Sequence, residues 1–158
     1  MPGCLLALVA TVLAGTAQAD FTGRVANVLE GGLLDVRQGS RVVRIRLADI
    51  DAPAPSQRFG TDAHRQLLAL AKNKTARVEE LGMDLRGYTV GRVTVNGQDL
   101  GLAQIQAGLA WQTEGSTLAE YRQAQAEARQ ARRGLWRDIN PAPPWEWVDM
   151  RQRSGRSR

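Results

Sequence analysis

Apolar and polar residues alternate in several short stretches of the chain, which is the pattern of β-strands with one buried face. In residues 41–47, three apolar side chains alternate with Arg44 and Arg46. Steps that contain glycine separate these stretches and predict tight turns. We therefore predict five strands, over residues 21–29, 33–36, 41–47, 75–81 and 88–95.

Other segments have the apolar period of helices. Helices are predicted over residues 61–72, 100–107 and 118–133. Pro53 and Pro55 interrupt the pattern and predict a loop over residues 52–59. The resulting order, β-β-β-α-β-β-α-α, favours a mainly β fold with helices (α+β), built as a five-stranded OB-type barrel with three helices.

The first nineteen residues differ in character from the rest. They contain no acidic or basic residue, and an apolar run is followed by a small-x-small sequence that ends at Ala19. This pattern predicts a cleaved secretory signal peptide, with an uncleaved membrane anchor as the alternative. We therefore predict a signal peptide over 1–19, a domain over 20–148 and a basic disordered tail over 149–158. The protein is then exported, periplasmic or secreted, and has no membrane contact after cleavage.

Cysteine content and charge narrow the chemistry. The only cysteine, Cys4, lies within the predicted signal, so the domain would have no disulfide, thiol nucleophile or cysteine metal site. The net charge is +5, and four arginines among the last nine residues account for most of it. A basic chain is typical of nucleic-acid binding, but a short solvated tail explains this charge equally well.

Four stretches, in order and at matching spacing, resemble the thermonuclease (staphylococcal nuclease) family. They are residues 28–32 (VLEGG) for the family's V-x-D-G-D, residues 46–53 (RLADIDAP) for R-L-x-G-I-D-x-P-E, residues 84–90 (DLRGYTV) for D-x-Y-G-R-x-x, and residues 104–110 (QIQAGLA) for the helix and turn that follow. The resemblance covers about residues 21–148. It implies an OB barrel with three helices, in agreement with the order above, and cleavage of DNA or RNA phosphodiesters with one Ca²⁺.

The resemblance also implies a site of two metal-binding Asp, one Glu that positions or activates water, and two phosphate-binding Arg. Asp51 stands at one metal position and Arg46 at one phosphate position. The other three positions are substituted. They hold Gly32 for the second metal Asp, Ala54 for the catalytic Glu and Tyr88 for the second Arg.

These substitutions remove groups that phosphodiester cleavage requires. A metal must polarise the phosphate, and Ca²⁺ binds several oxygen ligands, usually including carboxylates. The loss of one phosphate-stabilising arginine can cost about 10³–10⁵ in rate. Asp51 and, more weakly, Glu30 remain as metal ligands, so we expect Ca²⁺ as a cofactor only if the family site still functions.

Some alternatives remain open for individual residues. Asp49 lies two positions before Asp51, so on a strand both would face one side and, with Glu30, could form a rebuilt acidic site. Arg86, two residues before the substituted arginine position, could supply the missing guanidinium. Asp51 and Arg46 could instead form a structural ion pair on the barrel.

The sequence therefore predicts an exported thermonuclease-like domain with a degraded site, which binds nucleic acid or a protein without efficient cleavage. The expected partners are single-stranded DNA or RNA, contacted through Trp111 and Arg86, or a periplasmic protein, and we expect a monomer. Trp111 is a candidate for base stacking, with a core tryptophan as the competing interpretation. The alternative function is an active metal-dependent endonuclease on DNA or RNA with a relocated site. A structural protein of the periplasm is a third.

Overall fold

The computed structural model describes residues 20–147, so the predicted signal peptide and basic tail lie outside the described residues. The strands are β1 Phe21–Glu30, β2 Leu33–Gln38, β3 Arg41–Leu47, β4 Ile50–Asp51, β5 Thr75–Met83, β6 Thr89–Val95, β7 Gln98–Asp99 and β8 Trp111–Gln112. The helices are α1 Gly60–Ala71, α2 Leu100–Gln106 and α3 Ala119–Gln130, followed by a 3₁₀ turn, Gly134–Arg137.

Five of these strands close into a barrel. β1 pairs antiparallel with β2 and β5, β2 pairs with β3, and β5 pairs with β6. A parallel pairing of β3 with β6, in which Arg46 lies opposite Val90, completes the ring. Closure of this kind leaves no long strand edge unpaired. The predicted OB-type α+β fold is therefore confirmed.

The barrel interior is formed by the apolar positions of the alternating strands. Val43, Ile45 and Leu47 of β3 are buried, whereas Arg44 between them is exposed. α1 covers one side of the barrel and buries Leu67 in the same core. Burial of the apolar face of an alternating strand such as β3 removes apolar surface from water and stabilises the fold.

A second cluster of buried residues lies beside α3. It consists of Trp111, Ala128, Leu135 and Trp136. The chain after the 3₁₀ turn returns to this cluster, where the ring of Trp145 contacts that of Trp111 edge-on, with centroids 6.4 Å apart. Within residues 20–147, no helix is long and apolar enough to cross a membrane.

Element ends differ from the sequence pattern where the backbone leaves the regular conformation. The pattern predicts a helix to residue 133, but α3 ends at Gln130 because Arg132 has a left-handed φ of 52°. β5 continues past the predicted end to Met83, because a register shift between Glu80 and Gly82 allows pairing with β6 to resume. β4, β7 and β8 have two residues each, too few for any periodic signal.

Candidate functional site

The barrel brings the family's site positions to one end. Gly32 lies in the turn between β1 and β2, and its carbonyl accepts a hydrogen bond from the N–H of Leu47 at 2.9 Å. Leu47 follows Arg46 on β3, and Asp51 ends β4 a few residues later. Tyr88 immediately precedes β6, which pairs with β3 at Arg46. Positions far apart in the sequence therefore meet because of the strand register.

A buried glutamine fixes the turn that carries Gly32. Gln104 of α2 is fully buried, and its Nε2 donates to the carbonyls of Gly31 at 2.6 Å and Ala63 at 2.9 Å. These bonds join the turn, α1 and α2 in one buried network. A Cβ atom at position 32 would lie 3.6 Å from the Cβ of Ala52, an ordinary van der Waals distance. The turn thus has room for a side chain that the sequence does not supply.

Arg46 is held by an ion pair. Its Nε donates to Oδ2 of Asp84 at 2.9 Å. Oδ1 of Asp84 accepts from the backbone N–H groups of Arg86 and Tyr88, each at 2.9 Å. The Tyr88 N–H, helped by the Arg46 guanidinium and opposed by partial burial, holds the pKa of Asp84 below its ordinary value. The carboxylate that pairs with Arg46 is therefore Asp84, not the Asp51 of the ion-pair alternative.

Asp51 is partly buried at an open cleft of about 400 Å³. Thr113, Glu114 and Trp145 line the same cleft. Loss of hydration raises the pKa of Asp51 above its ordinary value, and the positive charge of Arg46 offsets only part of that effect. Burial of Asp51 at this end of the barrel therefore disfavours its ionised form.

The donor set does not fit the family's Ca²⁺. This ion takes about six to eight oxygen ligands, and tight sites use several carboxylates. Within residues 20–147, no group of three or more His, Cys, Asp or Glu is placed to hold a metal ion. Gly32 and Ala54 add no side-chain oxygen beside Asp51. Of the two metal positions that the resemblance implies, only that of Asp51 therefore carries a carboxylate.

The acidic group of Glu30, Asp49 and Asp51 does not assemble. Asp49 precedes β4, has a left-handed φ of 64°, and its Oδ2 accepts from Arg92 at 2.9 Å. Its backbone conformation breaks the strand alternation on which the expectation of a shared face depended. That expectation is therefore corrected, and Asp49 serves as the partner of Arg92.

A second arginine near the site was not selected from the sequence. Arg44 donates to both carboxylate oxygens of Asp35, at 2.9 and 3.2 Å, and its guanidinium lies 5.4 Å from the ring centroid of Tyr88. The bond to Asp35 raises the pKa of Arg44 further above its ordinary value. The alternation of β3, with Arg44 and Arg46 on its outer face, is the signal that could have identified it. Arg86 is exposed and reaches Asp84 through its backbone N–H.

The aromatic side chain accessible near the site differs from the one selected from the sequence. Trp111 is 5% exposed and packs edge-on against Trp136, with centroids 6.0 Å apart. A ring at this depth offers little surface to a nucleobase, which favours the core interpretation. Trp145 is 42% exposed and lines the cleft of Asp51. The proline-rich stretch before Trp145, which predicts a stiff segment, was the available signal.

Comparisons with known proteins agree with this fold. Residues 44–138 match the family described as staphylococcal nuclease homologue. The chain is 35% identical to a micrococcal nuclease of Shigella flexneri over 153 residues, which covers 89% of this chain and 88% of the relative. It is 38% identical to an uncharacterized endonuclease of Escherichia coli over 131 residues, which covers 82% of this chain and 86% of the relative. The fold is that of a nuclease-like domain, and the chain belongs to the staphylococcal nuclease homologue family.

Replacement of Asp51 by Asn should show whether the burial of its charge or the attraction of that charge to Arg46 has the larger effect on stability. Because burial raises its pKa, the folded state loses stability as the pH rises from the ordinary value of 3.8 through the folded pKa. We expect Asp51→Asn to melt about 2 °C above the parent at pH 7, and the difference to disappear near pH ~3, where the carboxyl is protonated. Calorimetry at both pH values measures this. A lower melting temperature at pH 7 would mean that the attraction of Arg46 for the Asp51 charge outweighs the cost of burying that charge.

Proposed function

We propose that this protein binds single-stranded nucleic acid on a thermonuclease-type barrel and does not cleave it efficiently. The observation that carries the proposal is the 2.9 Å pairing of Arg46 with Asp84, beside a tyrosine at the second arginine position. A phosphate at this site would have to compete with Asp84 for the remaining family arginine. Stabilisation of charge on the phosphoryl oxygens, which cleavage needs, is then weak.

Binding of a nucleic acid requires basic and aromatic side chains but no catalytic groups, and the outer barrel surface provides such side chains. In OB folds the face of the second and third strands commonly binds oligonucleotides. Here β2 and β3 expose Arg37, Arg41 and Arg44. Of these, Arg44 lies beside the ring of Tyr88 while it is paired with Asp35. An arginine beside an aromatic ring suits a grip on phosphates and bases that is independent of sequence. This arrangement favours nucleic acid over a protein as the partner.

The proposal predicts binding without turnover. Protein is isolated from the periplasm and mixed with labelled single-stranded DNA or RNA. Mass spectrometry of this protein tests the proposed export, which predicts a mature N-terminus at Asp20. We expect anisotropy to report binding that is equal in Ca²⁺ and EDTA and weakens between roughly 50 and 200 mM salt. We expect no fragments on a denaturing gel after prolonged incubation. Absence of binding at low salt would exclude the nucleic-acid partner and favour a periplasmic protein.

A second candidate is an active metal-dependent nuclease with a relocated site. The retention of Arg46 and Asp51, together with relatives that are named nucleases, favours it. The same gel separates the two functions. Fragments that depend on a divalent cation and disappear in Asp51→Ala would establish this candidate and exclude binding without cleavage.

A further inference from the structure

A groove next to the cleft of Asp51 runs along α3. One cleft of about 580 Å³ is lined by Arg129 and Arg132 on the helix side and by Pro141, Pro143 and Trp145 on the other. A neighbouring cleft is lined by Arg122, Gln125, Arg129 and Trp145, among others. The two clefts share Trp111, Arg129 and Trp145 as lining residues, so they adjoin one another, and together they are here called the α3 groove.

The aromatic wall of the α3 groove is a stack of three tryptophans. Arg129 lies over the ring of Trp136, with its guanidinium carbon 4.3 Å from the centroid. Trp136 meets Trp111 edge-on, and Trp111 meets Trp145 edge-on. Trp111 and Trp136 are buried, whereas Trp145 is 42% exposed. The three rings therefore present one accessible indole, Trp145, which packs edge-on against the buried Trp111.

The segment that carries Trp145 is held against the barrel domain by a hydrogen bond and an ion pair within the protein itself. Nε2 of the buried Gln57 donates to the carbonyl of Ala142 at 2.5 Å. Arg58 forms an ion pair with Asp138 at 2.8 Å. The prolines of residues 141–144 restrict the chain between these contacts and Trp145. A preorganised aromatic side chain binds with a smaller loss of conformational entropy.

The charge of the α3 groove is positive along the helix. Arg122 and Arg129 are two helical turns apart, about 10 Å along the axis, and both are exposed. Asp138 on the opposite wall is compensated by Arg58. Glu114 is the acidic side chain where the groove approaches Asp51. A polyanion is therefore favoured along α3 and disfavoured at the Asp51 end.

We propose that the α3 groove binds a segment of single-stranded nucleic acid, with one base stacked on Trp145 and phosphates against Arg122, Arg129 and Arg132. The inference rests on the proposed function and adds to it a second contact surface. Exposed aromatic rings flanked by arginines are the usual means of holding single strands without sequence preference. Glu114 lies where the α3 groove meets the cleft of Asp51 and disfavours phosphates at that end.

The test compares oligothymidylate with an abasic oligonucleotide of equal length, which has the phosphates but no bases. We expect Trp145→Ala to bind oligothymidylate about tenfold or more weakly than the parent, and to bind the abasic strand unchanged. Trp145→Phe, which keeps a stacking ring, should recover most of the affinity. A merely structural role of Trp145 would weaken both ligands equally and would overturn the inference.

The arginines are tested by the salt dependence of binding. Arg132→Gln should lower the slope of log affinity against log salt by about one. Arg65→Gln is the matched control, because Arg65 is an exposed helical arginine on α1, paired with Asp62 and outside the groove. The inference would be overturned if Arg132→Gln and Arg65→Gln changed the salt slope equally. It would also be overturned if polyglutamate competed for binding as well as an unlabelled oligonucleotide does. If the parent binds no oligonucleotide at low salt, the proposed function fails as well. If the parent binds, and Trp145→Ala and Arg132→Gln bind as the parent does, the α3 groove alone is excluded.

Discussion

The triple variant Gly32→Asp, Ala54→Glu and Tyr88→Arg should release acid-soluble fragments from single-stranded DNA in Ca²⁺ at least about 10³ times faster than the parent. It returns a second carboxylate, a water-orienting acid and a second phosphate-binding arginine to the barrel end that already holds Arg46 and Asp51. The barrel itself is intact, so the missing groups are side chains on a suitable scaffold.

The local packing allows the first of these changes. A Cβ at position 32 would meet Ala52 at 3.6 Å and Ile50 at 4.0 Å, so the backbone need not move. The new carboxylate would lie at the same barrel end as Asp51 and repel it in the absence of a cation. We therefore expect the triple variant to be less stable than the parent in EDTA and to gain stability from Ca²⁺. Calorimetry with and without Ca²⁺ measures this independently of activity.

The control for restoration is the triple variant with Asp51→Ala added. It should lose both the fragments and the stabilisation by Ca²⁺, because it removes the carboxylate that the resemblance assigns to the retained metal position. Restored Ca²⁺ binding without cleavage would show that the Arg46–Asp84 pair is a further obstacle. Equal cleavage by parent and triple variant would contradict our interpretation of the three substitutions.

The barrel could be predicted because its determinants are local and repeated. Val43, Ile45 and Leu47 mark the inner face of β3 without knowledge of any partner strand. The turns are marked by glycine and by the Asn96-Gly97 step, where both residues have positive φ. The parallel pairing of β3 with β6 joins segments about forty residues apart and leaves no local trace. The order of elements and the family resemblance supported the closed barrel.

The interactions of the candidate site could not be predicted from the sequence. The motif spacing selects Arg46, Asp51 and Tyr88 as candidates, but the ion pair of Arg46 with Asp84 spans 38 residues. A carboxylate in a D-x-x-G turn is equally consistent with a local turn bond, and Asp84 makes both kinds of contact. The left-handed conformation of Asp49 likewise depends on tertiary context, and no pattern of side chains predicts it.

The position of Trp136 in the tryptophan stack depends on a backbone contact between Gly108 and the segment at Gly134, which no sequence pattern indicates. Gly108 has φ of 70°, and a Cβ there would overlap the carbonyl oxygen of Arg133. Gly134 lies against the carbonyl of Gly108 in the same way. The N–H of Leu135 then donates to the oxygen of Gly108 at 2.8 Å. Two backbones in direct contact thereby place Trp136 beneath the α3 groove.

Gly108→Ala should therefore destabilise the protein by about 3 kcal/mol, from about 1 kcal/mol of left-handed strain and about 2 kcal/mol of overlap with the backbone at Arg133. The expected fall in melting temperature is about 10 °C. Gly39→Ala is the matched control, because Gly39 also has a positive φ of 60° but nothing lies within 4 Å of its Cβ position. That variant should lose only about 1 kcal/mol. Urea unfolding measures both, and equal losses would mean that the two backbones separate at little cost and that the tryptophan stack does not depend on their contact.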